Sequence, residues 1–261
     1  MQTPANPFKQ ALREGRTQIG LWLGLADAYA AEICAGAGFD WVLIDGEHSP
    51  NDLRSTLQIA QAVAAYPRTH AIARVPMGHG QVGQMLIKQY LDIGIQTLLV
   101  PMVDTPEQAQ ALVRSLRYPP QGVRGMGGAR ASRWGRYTDY PQRANEEVCL
   151  LVQLETRQAL GNLEAIAAID GVDGLFIGPA DLAASLGHVG QSSHPEVQQA
   201  IDDAIRRIRA CGKAPGILTL DEPLARHQIA LGAQFVAVGI DHNVLSRGAA
   251  QLAATYQNAN S

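Results

Sequence analysis

Short, largely apolar runs recur along the chain, and most are followed by a turn signal and then a stretch with helical spacing. The runs are Gln18 to Leu23, Trp41 to Asp45, Ala71 to Val75, Thr97 to Pro101, Val148 to Glu155, Gly174 to Gly178, Gly216 to Thr219 and Phe235 to Gly239. Read as strands, they give eight βα units, the count of a closed parallel (β/α)8 TIM barrel. A doubly wound open sheet has the same rhythm but favours a glycine-rich phosphate turn after its first strand, and Gly20-Leu21-Trp22-Leu23-Gly24 lacks that GxGxxG spacing. Two helix starts are legible: Ser49-Pro50-Asn51-Asp52 and Thr105-Pro106-Glu107-Gln108 each place a hydroxyl at the cap and proline in the first helical position. The helix after the second strand is expected to pack a Leu53, Leu57, Ala60 and Ala64 stripe on the barrel, and Tyr118 to Tyr140 reads as an extended loop.

Composition narrows this picture. A chain of 261 residues, 46% apolar and 17% charged, suffices for one barrel domain spanning 1–261. A net charge of -3 gives no global reason to bind nucleic acid, and the arginines of the 124–136 segment, rich in glycine, read as a subunit interface or a grip on a distal carboxylate. Cys34, Cys149 and Cys211 are odd in number, lack CxxC spacing and are expected in cores. The polar start and the lack of a run of about 18 apolar residues lead us to expect a soluble, cytoplasmic protein with no membrane partner.

In a parallel barrel the C-terminal ends of the strands converge on one mouth, so polar groups there are functional candidates. The fifth strand ends in Gln153-Leu154-Glu155, and a period of two turns Gln153 and Glu155 the same way. Burying both in an apolar barrel is costly unless a charged or hydrogen-bonding partner meets them. Asp181, just after the sixth strand, offers a second carboxylate, and two such ligands with open positions suit Mg2+, Mn2+ or Co2+. Blander roles are a place near the next helix for Glu155 and an N-cap for Asp181. His48 is the acid-base candidate, with Asp45 or Glu47 orienting its ring; Arg74 is placed to hold an oxyanion, or to pair with those acids. The Ala180 and Asp181 amides could receive a substrate carboxylate, and Leu218 reads as a pocket wall or a core residue. Only Lys9, Lys88 and Lys213 occur, none at the C-terminal end of a predicted strand, so a Schiff-base mechanism lacks its amine and a metal is the expected electrophile.

The stretches Gln18 to Gly24, Ala35 to His48, Thr97 to Met102, Gln153 to Glu155 and Phe176 to Leu182 closely resemble the HpcH/HpaI aldolases, metal-dependent pyruvate aldolases, and the similarity runs from Phe8 to Tyr256. The resemblance implies metal ligation by Glu155 and Asp181, a His48–Asp45 base acting through bound water, and enolate stabilisation by Arg74. It implies reversible cleavage of 4-hydroxy-2-oxo acids, 4-hydroxy-2-oxoheptanedioate among them, to pyruvate and an aldehyde, as in the catabolism of aromatic compounds. It also implies a homohexamer, a dimer of trimers, that exchanges the last helix between subunits. Two segments depart from the family pattern and bear on the aldehyde pocket: a longer loop after Arg74 and a shortened one around Gly127. Rival readings on the same site are a 2-keto-3-deoxy sugar acid aldolase or an oxaloacetate-type decarboxylase. A non-catalytic carboxylate-binding barrel is the rival from another class.

Overall fold

The computed structural model describes residues 1–127 and 129–257. In chain order the elements are α1 (Pro7–Arg13), β1 (Gln18–Leu23), α2 (Ala28–Ala35), β2 (Trp41–Asp45), α3 (Leu53–Val63), β3 (His70–Arg74) and α4 (Gly80–Asp92). They continue as β4 (Thr97–Val100), α5 (Pro106–Leu116), α6 (Tyr140–Glu147), β5 (Cys149–Leu154), α7 (Arg157–Gly161) and α8 (Leu163–Ala167). The last are β6 (Gly174–Ile177), α9 (Pro179–Ser185), α10 (Pro195–Ala210), β7 (Ala214–Leu218), α11 (Glu222–Leu231), β8 (Phe235–Ile240) and α12 (Asp241–Gln257). The eight strands pair in sequence order and close, β8 on β1, with every pairing parallel. All eight predicted strands are present, with ends shifted by no more than a residue or two.

Parity along the strands decides which residues meet at the centre. Trp41, Leu43, Ile72, Leu99, Cys149, Leu151, Phe176 and Phe235 form the inner cluster, while their neighbours Val42, Ile44, Ala73, Leu98, Leu150, Val152 and Ile177 pack outward against helices. Continuing that alternation turns Asp45, Arg74, Gln153 and Glu155 inward at the mouth. The inner layer needs small residues opposite large ones: a Cβ on Gly20 would lie 2.2 Å from the Trp41 ring, and one on Gly216 2.1 Å from Phe235.

The N-terminal end of the barrel is closed by α1, which the sequence reading passed over. Asn6 caps it by accepting from the Lys9 amide at 3.0 Å, and Pro7 opens it. It inserts Phe8 between Trp41, His70 and Phe235, with ring centroids 5.7–6.2 Å away. Burying such a side chain contributes about 1.5–3 kcal/mol.

Two local expectations are corrected. Proline 50 does not open a helix: α3 starts at Leu53, capped by Asp52, which accepts from Ser55 N at 2.7 Å, while Ser49 turns its hydroxyl toward Asp45. The face turned to the barrel is centred on Thr56, Ile59, Ala60 and Val63, with Leu53 and Leu57 partly buried at its border and Ala64 exposed. Among the described residues between Tyr118 and the start of α6 at Tyr140 there is one short 3-10 turn, Arg130–Ser132. Arg124 turns inward, bonded to Asp92 at 2.8 Å and lying 4.5 Å from the centre of the Tyr118 ring, so it is a packing residue and is not displayed for a ligand. Gly128 of the shortened loop lies outside the described residues. Cys149 is buried, and Cys34 and Cys211 pack partly buried against the outer core; all three are free. No helix among the described residues is long and apolar enough to cross a membrane.

Candidate active site

The mouth opens as a cavity of about 240 Å3 lined by Trp22, Asp45, His48, Arg74, Gln153 and Asp181, with Phe176, Leu218 and Ile240 as an apolar wall. Leu218 is thus a pocket residue, as one of its two readings had it.

Asp45 and Arg74 are register partners on β2 and β3, both facing inward, and this adjacency sets their pairing. Arg74 donates from Nε to Asp45 Oδ1 at 2.8 Å and from an Nη to Oδ2 at 2.7 Å; its other Nη lies 2.7 Å from Glu47 Oε2. Its guanidinium carbon also stands 5.1 Å from the Trp22 ring centre. Burial pushes the Asp45 carboxyl up, but the Arg74 hydrogen bonds and charge more than offset it, and the net shift is below the ordinary value. Asp45 also accepts from the Glu47 amide at 3.0 Å and, more weakly, from the His48 amide at 3.4 Å. The carboxylate beside the His48 ring is therefore Glu47, 3.9 Å from Nε2, rather than Asp45. Burial raises the Glu47 carboxyl, with Arg74 and His48 opposing and Asp45 and Asp181 adding to the rise. The His48 ring is largely exposed at the rim, free to meet a ligand.

Glu155 is 2% exposed. Its Oε1 accepts from the Met102 amide at 2.7 Å, and Gln153 Nε2 donates to its Oε2. Burial, foremost, pushes its carboxyl up to about 7; the Gln153 and Met102 bonds pull down, and the charges of Asp181 and Glu47 push up further. The capping role belongs to Thr156, which accepts from Ala159 N at 2.9 Å at the start of α7. Asp181 is exposed, in the first turn of α9, whose cap position is Gly178, so Asp181 is not the N-cap. Gly178 lets the end of β6 approach: a Cβ there would lie 2.6 Å from Glu155 Oε2 and 3.1 Å from Gln153 Nε2.

Asp241 and His242, at the end of β8, separate in role. Asp241 accepts from the Gly24 and Leu25 amides at 2.8 and 3.1 Å and pins the loop after β1, while His242 lines the mouth. Lys9 and Lys213 lie at the opposite end, bonded to the carbonyls of Val148 and Val172, and Lys88 is on the outer helix α4. Trp22, Met102 and Phe176 went unnoticed in the sequence because each reads as an ordinary apolar residue; the hint for Trp22 and Phe176 was strand parity. Elsewhere, His188, His194 and Glu196 bring ligand atoms within 4.8 Å of one another between α9 and α10. There Glu196 Oε2 is 2.9 Å from His188 Nε2, His194 Nδ1 caps α10, and the two rings stack at 3.6 Å.

Besides the His48 and His242 imidazoles, the donors at the mouth are oxygens. Asp45 and Glu47 meet the Arg74 guanidinium, Glu155 and Asp181 lie near enough to Glu47 for their charges to act on one another, and Gln153 Oε1 is buried with no hydrogen-bond partner among the described residues. Such an excess of carboxylate and an orphaned amide oxygen fit a hard divalent cation better than a thiolate- or imidazole-loving one.

A closed parallel barrel with acids, one guanidinium and an exposed imidazole at its C-terminal mouth has the layout of a (β/α)8 enzyme acting on a small anionic substrate. The chain belongs to the HpcH/HpaI aldolase/citrate lyase family, whose profile it matches over residues 18–247. It is 64% identical to a hydroxypyruvate/pyruvate aldolase of Deinococcus radiodurans, covering 97% of this chain and 91% of that one. It is 62% identical to a 4-hydroxy-2-oxovalerate aldolase of Rhodococcus jostii (98% of both chains), and 57% to a 4-hydroxy-2-oxo-heptane-1,7-dioate aldolase of Klebsiella pneumoniae (96% and 94%). A crystal structure of a family member from Burkholderia cenocepacia superposes with a TM-score of 0.92 at 39% identity, over 98% of this chain and all of the other.

Proposed function

We propose that this chain is a class II pyruvate aldolase that reversibly cleaves 4-hydroxy-2-oxo acids to pyruvate and an aldehyde. The observation that carries the reading is the buried Glu155 carboxylate, held by two donors and brought beside the end of β6 by Gly178, with Asp181 just beyond. Glu155 and Asp181 would hold a divalent cation, Mg2+, Mn2+ or Co2+, beside the buried, unbonded oxygen of Gln153, which lines the same mouth. When bound, such a cation polarises the C2 ketone and lowers the cost of the enolate.

The chain's own groups supply the rest. His48, exposed at the rim beside Glu47, takes the proton of the C4 hydroxyl, directly or through water. As the C4 carbonyl forms, the C3–C4 bond breaks and its electron pair passes to C3, giving the pyruvate enolate and a free aldehyde. Arg74 spends two of its five N–H donors on Asp45, while Glu47 meets it as an ion pair without a hydrogen bond, and the remaining donors stabilise the enolate oxygen. Asp45 acts as the anchor that fixes Arg74. The unbonded first-turn amides of Ala180 and Asp181 receive the substrate carboxylate. Phe176, Leu218 and Ile240 border the space left for the aldehyde.

The test is proton exchange at the pyruvate methyl in deuterated water, followed by NMR. Exchange that appears with Mn2+ or Mg2+, stops with EDTA and is lost in Glu155→Gln supports the reading; metal-independent exchange, or none with any metal, overturns it. The relatives' names differ in the nucleophile, so hydroxypyruvate should be assayed beside pyruvate against a panel of aldehydes, with oxaloacetate alone to reveal a decarboxylase.

The same reading extends to assembly as a homohexamer with an exchanged last helix. The buried residue of α12 is Asp241, while Val244, Leu245 and Leu252 are 62–63% exposed, and Tyr29 and Ile33 of α2 and Val238 of β8 are exposed as well. A helix from a second copy would cover both apolar faces. Light scattering of a Leu245→Glu, Leu252→Glu double variant should show a smaller species than the parent; an unchanged mass would count against the exchange.

A further inference from the structure

The longer loop after Arg74 carries a residue that neither strand parity nor the family pattern accounts for. His79 occupies the cap position of α4, but its side chain caps nothing there. The imidazole instead lies with Nε2 2.7 Å from the Met102 carbonyl, and since a carbonyl oxygen accepts, Nε2 carries the hydrogen. The Met102 amide in turn donates to Glu155 Oε1 at 2.7 Å. A two-bond chain therefore runs from the outer loop to the buried carboxylate.

Met102 has φ +55°, a left-handed conformation that a side chain such as methionine rarely adopts unless its surroundings impose it. Here they do: its carbonyl is held by His79, the next amide, of Val103, donates to Gln153 O at 3.1 Å, and its own amide is held by Glu155. With the carbonyl released, the residue gains freedom to return to negative φ, and that rotation turns its N–H away from Glu155. The loop is built to keep His79 in place. A Cβ on Gly78 would stand 2.2 Å from Val100 Cγ1 and 2.8 Å from Leu112 Cδ2, so the loop lies directly on β4 and α5. Gly83 is pressed equally hard on Gly78, where its Cβ would come within 2.1 Å of the carbonyl carbon.

We propose that His79 is a positioning residue: by holding the Met102 peptide in its left-handed turn it aims the Met102 amide at Glu155, orients that carboxylate and thereby sets the affinity of the mouth for a divalent cation. The inference rests on the ligand role proposed for Glu155. Groups one step removed from a metal ligand commonly govern affinity by about 10- to 100-fold.

The test is titration of the metal-free protein with Mn2+ alone, followed by the EPR signal of the free ion. Histidine 79→Ala should weaken Mn2+ binding about tenfold and raise the metal concentration for half-maximal aldol cleavage more than it lowers kcat. Histidine 79→Gln, whose amide can donate to the same carbonyl, should restore most of the affinity. Glycine adopts positive φ without strain, so in a Met102→Gly background His79→Ala should cost clearly less than in the parent. Parent-like Mn2+ affinity in His79→Ala, or an equal loss in both backgrounds, overturns the relay. A Glu155→Gln control separates the two ideas: if it abolishes Mn2+ binding while His79→Ala changes nothing, the relay alone falls; if it binds Mn2+ normally, the ligand role falls and the relay with it.

Discussion

At the N-terminal end of the barrel the inward positions hold Trp41, Phe235 and the inserted Phe8, packed ring against ring with His70, whose burial lowers its pKa to about 4 and keeps it neutral. At the C-terminal end the same strands, a few residues on, turn Asp45, Arg74, Gln153 and Glu155 to the same axis. The first end satisfies its few polar atoms locally, as His70 does with Thr97 at 2.8 Å. The second leaves Gln153 Oε1 unbonded and holds Glu155 against its own solvation preference. One end contributes stability, and the other stores unfavourable electrostatics that a charged ligand can relieve.

That contrast can be broken from either side. The largest effect should come from Glu155→Gln, expected to reduce metal-dependent aldol cleavage by about 10^3-fold or more while the protein melts no lower than the metal-free parent. Phenylalanine 8→Ala should do the reverse, costing about 3–5 kcal/mol in denaturant unfolding while the folded protein keeps its Mn2+ affinity. Arg74→Lys, which loses the two-pronged grip on Asp45, should lower kcat/KM about 10^2-fold in steady-state assays.

The smallest effect sharpens the comparison through pH. Glu155 is held near 7 in the folded protein against 4.5 ordinarily, so the folded state keeps a proton that the unfolded chain releases. The associated stability is present below pH 4.5 and is lost as pH rises through about 7. In metal-free samples the Tm of Glu155→Gln should therefore draw ahead of the parent between those limits, by a few degrees. A Tm difference that stays flat with pH would mean the mouth is not strained as described.

Most of this architecture was readable in the chain because strands buried on both faces stand out as apolar runs, and because parity alone places Gln153 beside Glu155. The helix α1 was missed because seven residues are too short to repeat a stripe, here only Phe8, Ala11 and Leu12, and because its stability comes from Phe8 filling a distant cavity. Ser49 looked like a cap for want of any local sign that Asp45 would draw its hydroxyl. For Asp45 the sequence left two partners open, His48, near in the chain, and Arg74; strand register, which puts Arg74 directly alongside, decides between them. Nothing in the string Pro101-Met102-Val103 announces a left-handed turn, and His79 gains its meaning only through that turn.

The uneven walls of the mouth have a consequence for how the protein can change. Charge enters from β2, β3, β5 and, through Asp181, the turn after β6, whereas Phe176, Leu218 and Ile240 form an apolar stretch of the wall. Variation at Leu218 and Ile240 reshapes the room for the incoming carbonyl compound without disturbing a carboxylate, so acceptor range and chemical competence can be retuned separately, in a library or over descent.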